Sequence, residues 1–186
     1  MRTIVLAFAT ASLAFSHPVQ VSLDLHVTKV NFSVGDVLHT VHGTFQLTKG
    51  NLWFDPTSGK AGGELVVNGA SGDSGSHARD SRMTKNILQA AIYPEIEFVP
   101  DRIDGAVTLA GHSEFKLHGL LTIHGAAHEV TMKVKSDIDG NSLKANAAFD
   151  VPYVRWGMKN PSTLLLRVND TVPIEVQAVG QLGDRA

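Results

Sequence analysis

The chain has 186 residues, 43% of them hydrophobic, with 16 Lys and Arg against 18 Asp and Glu. That length supplies one domain with a buried core and leaves little for a second. A net charge of −2 gives no electrostatic footprint for nucleic acid, and the lack of cysteine excludes disulfides, thiol catalysis and thiolate metal sites.

The N-terminus reads as a secretory signal. Arg2 is its positive head, "TIVLAFATASLAF" its short apolar stretch, and Ala14-Phe15-Ser16 a small-x-small cleavage site. Residues 1–16 are therefore expected to be a cleaved signal peptide and 17–186 a single mature domain. The apolar run is too short to span a bilayer. An exported protein without cysteine is most simply bacterial, either periplasmic or secreted.

Beyond the signal, apolar residues recur at every second position, the period of a β-strand. Val30, Phe32 and Val34 share one face. Val41, Gly43, Phe45 and Leu47 follow, with Thr40, His42, Thr44, Gln46 and Thr48 opposite. The stretch "ELVVNG", 64–69, reads as a further strand. Phe115, Leu117, Gly119, Leu121 and Ile123 alternate with Lys116, His118, Thr122 and His124. Val130, Met132 and Val134 alternate with Glu129, Thr131, Lys133 and Lys135. The same spacing places Leu143, Ala145, Ala147, Phe149 and Val151 on one face, and likewise Val172, Ile174, Val176 and Ala178. Turn signals at 50–51, 55–63, 124–128 and 139–141 separate the runs. Such alternation means one apolar and one wet face, as in antiparallel sheets. About eight such strands pack as a sandwich or a closed barrel.

One segment departs from the period. "DSRMTKNILQAAIYP", 80–94, suits a helix: Asp80 as N-cap, Met83, Ile87 and Ala91 along one side, Leu88 and Ile92 as a second row, Pro94 as the stop. A single amphipathic helix among strands can cover the mouth of a barrel.

Three kinds of chemistry come into question. Gly72-Asp73-Ser74-Gly75 matches the peptide around the nucleophile of chymotrypsin-like proteases. However, only His17, His26, His39 and His42 precede Ser74, more than half of the chain follows it, and no Gly-x-Ser-x-Gly elbow occurs. Glycine and small polar residues also make a surface loop, the expected role here. The histidines, with His39-x-x-His42, His118, His124 and His128, lack a His-x-His pair. His118 and His124 on one strand would lie roughly 20 Å apart, too far to share a metal. They are read as polar-face residues. Acidic residues fall on wet faces or in turns, so no general acid or base with a pocket is expected. The apolar face is the most informative feature. It fits either a filled core or an eight-stranded barrel wide enough for one ligand. The small inward residues Gly43, Gly119, Ala145, Ala147 and Ala178 would leave volume unfilled in the second case.

Several stretches together resemble the YceI-like family of exported bacterial proteins. "FKLHGLLTIHGAAHEVTMKV", 115–134, is similar to the family's Gly-x-Leu-Thr-Ile-His-Gly strand-turn-strand. "TVHGTFQLTKGNLWFDP", 40–56, resembles its early hairpin, "IYPEIEF", 92–98, its Tyr-Pro-x-Ile-x-Phe segment, and "RWGMKNPS" with "VNDTVPIEV" its closing region. The likeness covers about 20–180. Two places depart from the family's pattern: Ile87 and Leu88 stand where aromatics are usual, and Pro152-Tyr153-Val154-Arg155 precedes Trp156.

The resemblance implies an all-β, lipocalin-like, eight-stranded antiparallel barrel with one short helical lid and an apolar channel for a long isoprenoid chain, such as a quinone tail. It implies a periplasmic binding or carrier protein that is not an enzyme and has no cofactor beyond the bound lipid. The partner would be a long-chain isoprenoid or other amphiphilic lipid, with room for transient membrane contact and for a homodimer. A stress-response or structural barrel working through protein contacts, and a hydrolase acting on amphiphiles, stay as alternatives. The expected ligand-binding residues are Phe32, Val34, Phe45, Leu47, Phe98, Leu121, Ile123, Met132 and Phe149 from the wall. Ile87, Leu88, Ile92 and Tyr93 join them from the lid, and Trp156 and Met158 from the closing segment. Tyr93 or Trp156 would donate a hydrogen bond to a headgroup.

Overall fold

The computed structural model describes residues 18–35, 40–163 and 167–183. The expected signal segment 1–16, and with it His17 and His39, lies outside the described residues. No helix among the described residues is long and apolar enough to cross a membrane.

The strands are β1 Val19–Leu23, β2 Lys29–Gly35, β3 Thr40–Phe45, β4 Leu47–Phe54, β5 Ala61–Asn68, β6 Glu95–Asp104, β7 Gly111–Ile123, β8 Ala126–Asp139, β9 Ser142–Val151 and β10 Val172–Leu182. All pair antiparallel. The order runs β1-β4-β5-β6-β7-β8-β9-β10, and a β1–β10 pairing closes it into a ring of eight. β2 pairs with the other half of β10 and β3 with β2, so β1 with β2, and β3 with β4, act as two long staves, each broken once. The fold is the lipocalin-like, eight-stranded barrel with one short helix.

Both breaks in period have a local cause. A bulge between Leu47 and Lys49 moves the inward positions from Phe45 and Leu47 to Gly50, Leu52 and Phe54. A second bulge, between Pro100 and Arg102, shifts β6 from Phe98 and Pro100 inward to Ile103 inward. Pro100 has no N–H to give the ladder, and a bulge is where a strand tolerates that. The β7–β8 hairpin turns on His124 and Gly125, whose φ angles of 53° and 78° are those of a two-residue type I′ turn. His124 is thus a turn residue, not an outward residue of the strand.

The helical segment starts and ends earlier than expected. α1 spans His77–Arg82 with Ser76 as its N-cap residue. It then widens into a π-type turn, Met83–Ile87, with Leu88 N–H bonded to the Met83 carbonyl at 2.9 Å. Gln89, at φ 49°, ends it before Pro94 is reached. Asp80 is not the cap: its carboxylate turns back to accept from the Ser74 N–H at 2.9 Å and from the Ser74 hydroxyl. The wider turn brings Met83, Ile87 and Leu88 to the same inward side, which α spacing alone would spread apart.

One end of the barrel is packed solid around Val19, Val21, Phe54, Ala61 and Ile103. The other is covered by the helical segment and by residues 152–163 and 167–171 between β9 and β10, which contribute Leu88, Tyr153 and Met158 to the larger core cluster.

Candidate functional site: the apolar cavity and its mouth

Between the packed end and the covered end lies a cavity of about 170 Å³. Its wall is made by Val30, Phe32 and Val34 of β2, Phe45 and Leu47 of the β3–β4 stave, and Leu65 and Val67 of β5. Ile96 and Phe98 of β6, Leu121 and Ile123 of β7, and Met132 of β8 continue it. Phe149 and Val151 of β9 and Val172, Ile174 and Val176 of β10 complete the ring. Met83, Ile87 and Leu88 close it from the helical side, and Tyr153, Met158, Pro161 and Val168 from the 152–171 connection. The alternation of each strand is what turns these side chains inward. Among the described residues of this wall the only side-chain oxygen or nitrogen is the Tyr153 hydroxyl, and it donates to the Asn169 carbonyl at 2.8 Å. Burial above all, and then the Asp170 carboxylate, pushes the Tyr153 phenol above its ordinary pKa.

Of the residues expected from sequence, Phe32, Val34, Phe45, Leu47, Ile87, Leu88, Phe98, Leu121, Ile123, Met132, Phe149 and Met158 all line this cavity. Ile92, Tyr93 and Trp156 do not. Ile92 is 66% exposed, because the helical segment has ended before it. The Tyr93 ring packs on His124, with centroids 4.9 Å apart. Trp156 lies on His128. Neither ring reaches the cavity wall, so neither is placed to meet a headgroup from within it.

The small inward residues do not create the free volume. A Cβ at Gly43 would strike the Phe32 ring and the Asp73 carbonyl oxygen. One at Gly119 would strike the Val99 carbonyl, Pro100 and the Phe98 ring. Their space is already filled by neighbours, and Ala145, Ala147 and Ala178 pack as core. The cavity lies among large side chains instead. Tyr153, Pro161 and Val168 were missed because their stretch has no period to read. Val30, Ile174 and Val176 carried the alternation signal that could have found them.

The Gly72–Gly75 peptide is a docked linker. Asp73 exchanges backbone hydrogen bonds with Thr44 of β3, at 2.8 and 2.9 Å. Ser74 Oγ donates to Asp80 and accepts from Arg79 Nε, at 2.8 Å in the second case, while Arg79 Nη2 donates to the Ser74 carbonyl at 2.9 Å. The serine is thus tied to the start of α1 and has no imidazole partner among the described residues. Two of the histidines have a local polar partner, His42 Nδ1 with Ser33 Oγ at 2.9 Å and His112 with Asp137 at 3.3 Å, whereas the buried Nε2 atoms of His124 and His128 have none among the described residues. On the outer face His118 joins three strands, with Nε2 at 2.7 Å from Asp104 of β6 and Nδ1 at 2.8 Å from Thr131 of β8. The Arg102 guanidinium above all, with His118 beside it, holds the Asp104 carboxyl below its usual range.

Beside α1 and next to the cavity lies a vestibule of about 450 Å³, which shares Phe32, Val34, Met83, Ile87, Pro161 and Val168 with it.

A closed antiparallel barrel with an apolar interior, covered at one end by a short helix, defines a lipocalin-like class of protein. Residues 22–180 match the model of the YceI-like domain, and the chain belongs to the YceI-like family. Its fold is similar to the crystal structure of BcnA from Burkholderia cenocepacia, at 21% identity and a TM-score of 0.70, covering 87% of this chain and 99% of that one. It is similarly close to a polyisoprenoid-binding domain from Saccharophagus degradans implicated in plant cell wall breakdown, at 15% identity and a TM-score of 0.70, with 88% and 98% covered. A YceI protein of Campylobacter jejuni matches at 16% identity and a TM-score of 0.57, over 99% and 100% of the two chains. No curated protein matches the chain.

Proposed function

We propose that the protein is an exported carrier or scavenger of a long apolar lipid of the polyisoprenoid class, working in the periplasm or outside the cell, by binding alone. The observation that carries this is the cavity wall, built from all eight staves and the lid, in which the one side-chain hydroxyl among the described residues is already hydrogen-bonded. Family membership and the polyisoprenoid-binding domain of Saccharophagus degradans, which shares the fold, support the choice of ligand. The apolar N-terminal stretch supports export.

Size decides how the lipid is held. A dry cavity of about 150 Å³ takes a benzene-sized molecule, so 170 Å³ takes about one branched five-carbon unit. The vestibule extends the apolar path outward along shared residues. Met83, Met132 and Met158 line the cavity, and unbranched thioether side chains can move aside for more chain. Each methylene taken from water contributes about 0.8 kcal/mol, so a few isoprene units suffice for firm binding without polar contacts.

Extraction of the protein purified from its natural host with organic solvent, together with uptake of an added isoprenoid quinone, tests this. A prenyl lipid in the extract and saturable uptake are expected. An extract free of lipid together with no uptake would overturn the carrier function.

A further inference from the structure

We infer that the mouth of the cavity binds an anionic oxygen headgroup, with Arg82 and Arg79 as its cationic partners, so that the preferred ligand is a charged amphiphile rather than a neutral one. This rests on the tail-binding function proposed above.

The vestibule and the inner cavity adjoin across six shared apolar side chains, Met83 among them, so a tail that displaces this flexible wall would reach from one into the other. The vestibule's rim changes character: it adds Arg79, Arg82, Ser74 and Ser76, and among the described residues that line it there is no carboxylate. The two arginines are exposed and three residues apart, hence neighbours on one side of α1.

Their bonding differs in a useful way. Arg79 is held in place by Ser74, through Nε and Nη2. Asp80, the acid next to it in sequence, is occupied by the Ser74 N–H and hydroxyl. The Arg82 guanidinium forms no hydrogen bond or ion pair with another described residue. The apolar space thus adjoins two guanidinium groups, one fixed by Ser74 and one without a partner among the described residues, and no described lining carboxylate offsets their charge. A phosphate or carboxylate at that point gains charge-assisted, two-pronged hydrogen bonds. An alcohol or quinone head gains only ordinary ones. The Ser76 and Ser74 hydroxyls add small polar groups at the same rim.

The test is a pair of probes with one tail: geranylgeranyl phosphate and geranylgeraniol, titrated into the full chain at low and high salt. The phosphate is expected to bind roughly tenfold more tightly at low salt, with the margin shrinking as salt rises. In Arg82→Gln the ratio of the two affinities should fall towards one, and Arg82→Lys should keep part of it. Circular dichroism checks that both variants fold.

Equal binding of phosphate and alcohol by the natural chain would overturn the headgroup site and leave tail binding standing. Failure of both probes to bind would remove tail binding and the headgroup site with it. Inorganic phosphate supplies the last arm. Displacement of the prenyl phosphate by free phosphate at equal concentration would mean an anion site independent of the tail, and would overturn the inference.

Discussion

The Trp156 indole lies flat on the His128 imidazole, with ring centroids 4.1 Å apart and planes 4° from parallel. Trp156 sits in the tight coil that follows β9, where its N–H bonds to the Pro152 carbonyl at 3.1 Å and the Met158 N–H to that of Tyr153 at 3.0 Å. The same coil presents Tyr153 and Met158 to the cavity. The stack therefore pins to β8 the turn that closes the covered end. Trp156→Ala should cost about 1 kcal/mol beyond the lost burial. It should also speed hydrogen exchange at Gly157 and Met158 more than at β1 or β10. Uniform exchange across the coil and the barrel would remove this role from the stack.

Tyr153 makes a different bond at the same end. Its hydroxyl is tied to the Asn169 carbonyl, and its phenol pKa is raised, chiefly by burial. A group whose folded pKa lies above its unfolded value contributes stability that is complete below the unfolded value and is lost as pH rises through the folded one. The unfolding free energy of Tyr153→Phe should lie about 1 kcal/mol below that of the natural chain at pH 7. The gap should narrow above about pH 10, where ionisation removes the natural chain's advantage. A gap that stays constant to high pH would contradict this.

Much of this architecture was legible in the alternation of the later strands, because their inward and outward faces differ at each step. The type I′ turn at His124-Gly125 was visible as a turn, though not that His124 itself occupies it. What was hidden depends on partners distant in sequence. Gln46 breaks a stave because its carbonyl accepts from the Asn68 N–H and its N–H donates to Ser71 Oγ, neither of which is a neighbour in sequence. Asp80 has the residue type of a cap, yet a serine six positions earlier claims it. Tyr153, Pro161 and Val168 reach the cavity from a connection without period, and the position of Arg82 on the vestibule rim is a fact of placement that no pattern encodes.

Gly119 and Gly140 separate two costs of adding a methyl group. At Gly119 the new Cβ would meet the Val99 carbonyl and Pro100, backbone that cannot move without disturbing the bulge in β6. At Gly140 nothing lies within 4 Å, and only φ 59° opposes a side chain. Gly140→Ala should lower stability by about 1 kcal/mol, the conformational cost alone. Gly119→Ala should lower it by about 2–3 kcal/mol or more through overpacking. Urea unfolding of the two variants compares them, and equal losses would show that the β6–β7 contact yields easily.

Asp104 gives an acid-side test on the outer face. Its pKa is lowered, first by the hydrogen bond from Arg102 and then by His118, so its contribution is present above the ordinary carboxylate value and lost as pH falls through the folded one. Asp104→Asn should therefore be less stable than the natural chain at pH 6, and the two should converge below about pH 3. The residue is exposed, so the difference at pH 6 should be small and should shrink in high salt. A difference that persists at pH 2 would assign the effect to packing of the amide rather than to charge.

Filling the cavity tests whether its volume is what binds. Leu121 is 5% exposed, lies in the wall on β7 and faces Phe98 across the β6–β7 pair. Leu121→Trp adds an indole's bulk to a space of about 170 Å³. Overpacking of this kind costs about 1–3 kcal/mol, which a folded barrel can absorb. The variant should keep its strand signal and lose uptake of an isoprenoid probe by more than tenfold. Leu121→Ala enlarges the same space. It should fold with a loss of about 2–5 kcal/mol, recovered in part when the probe fills the gap. Opposite responses of the two variants would locate the tail in this cavity. Unchanged uptake by the tryptophan variant would place binding elsewhere on the barrel.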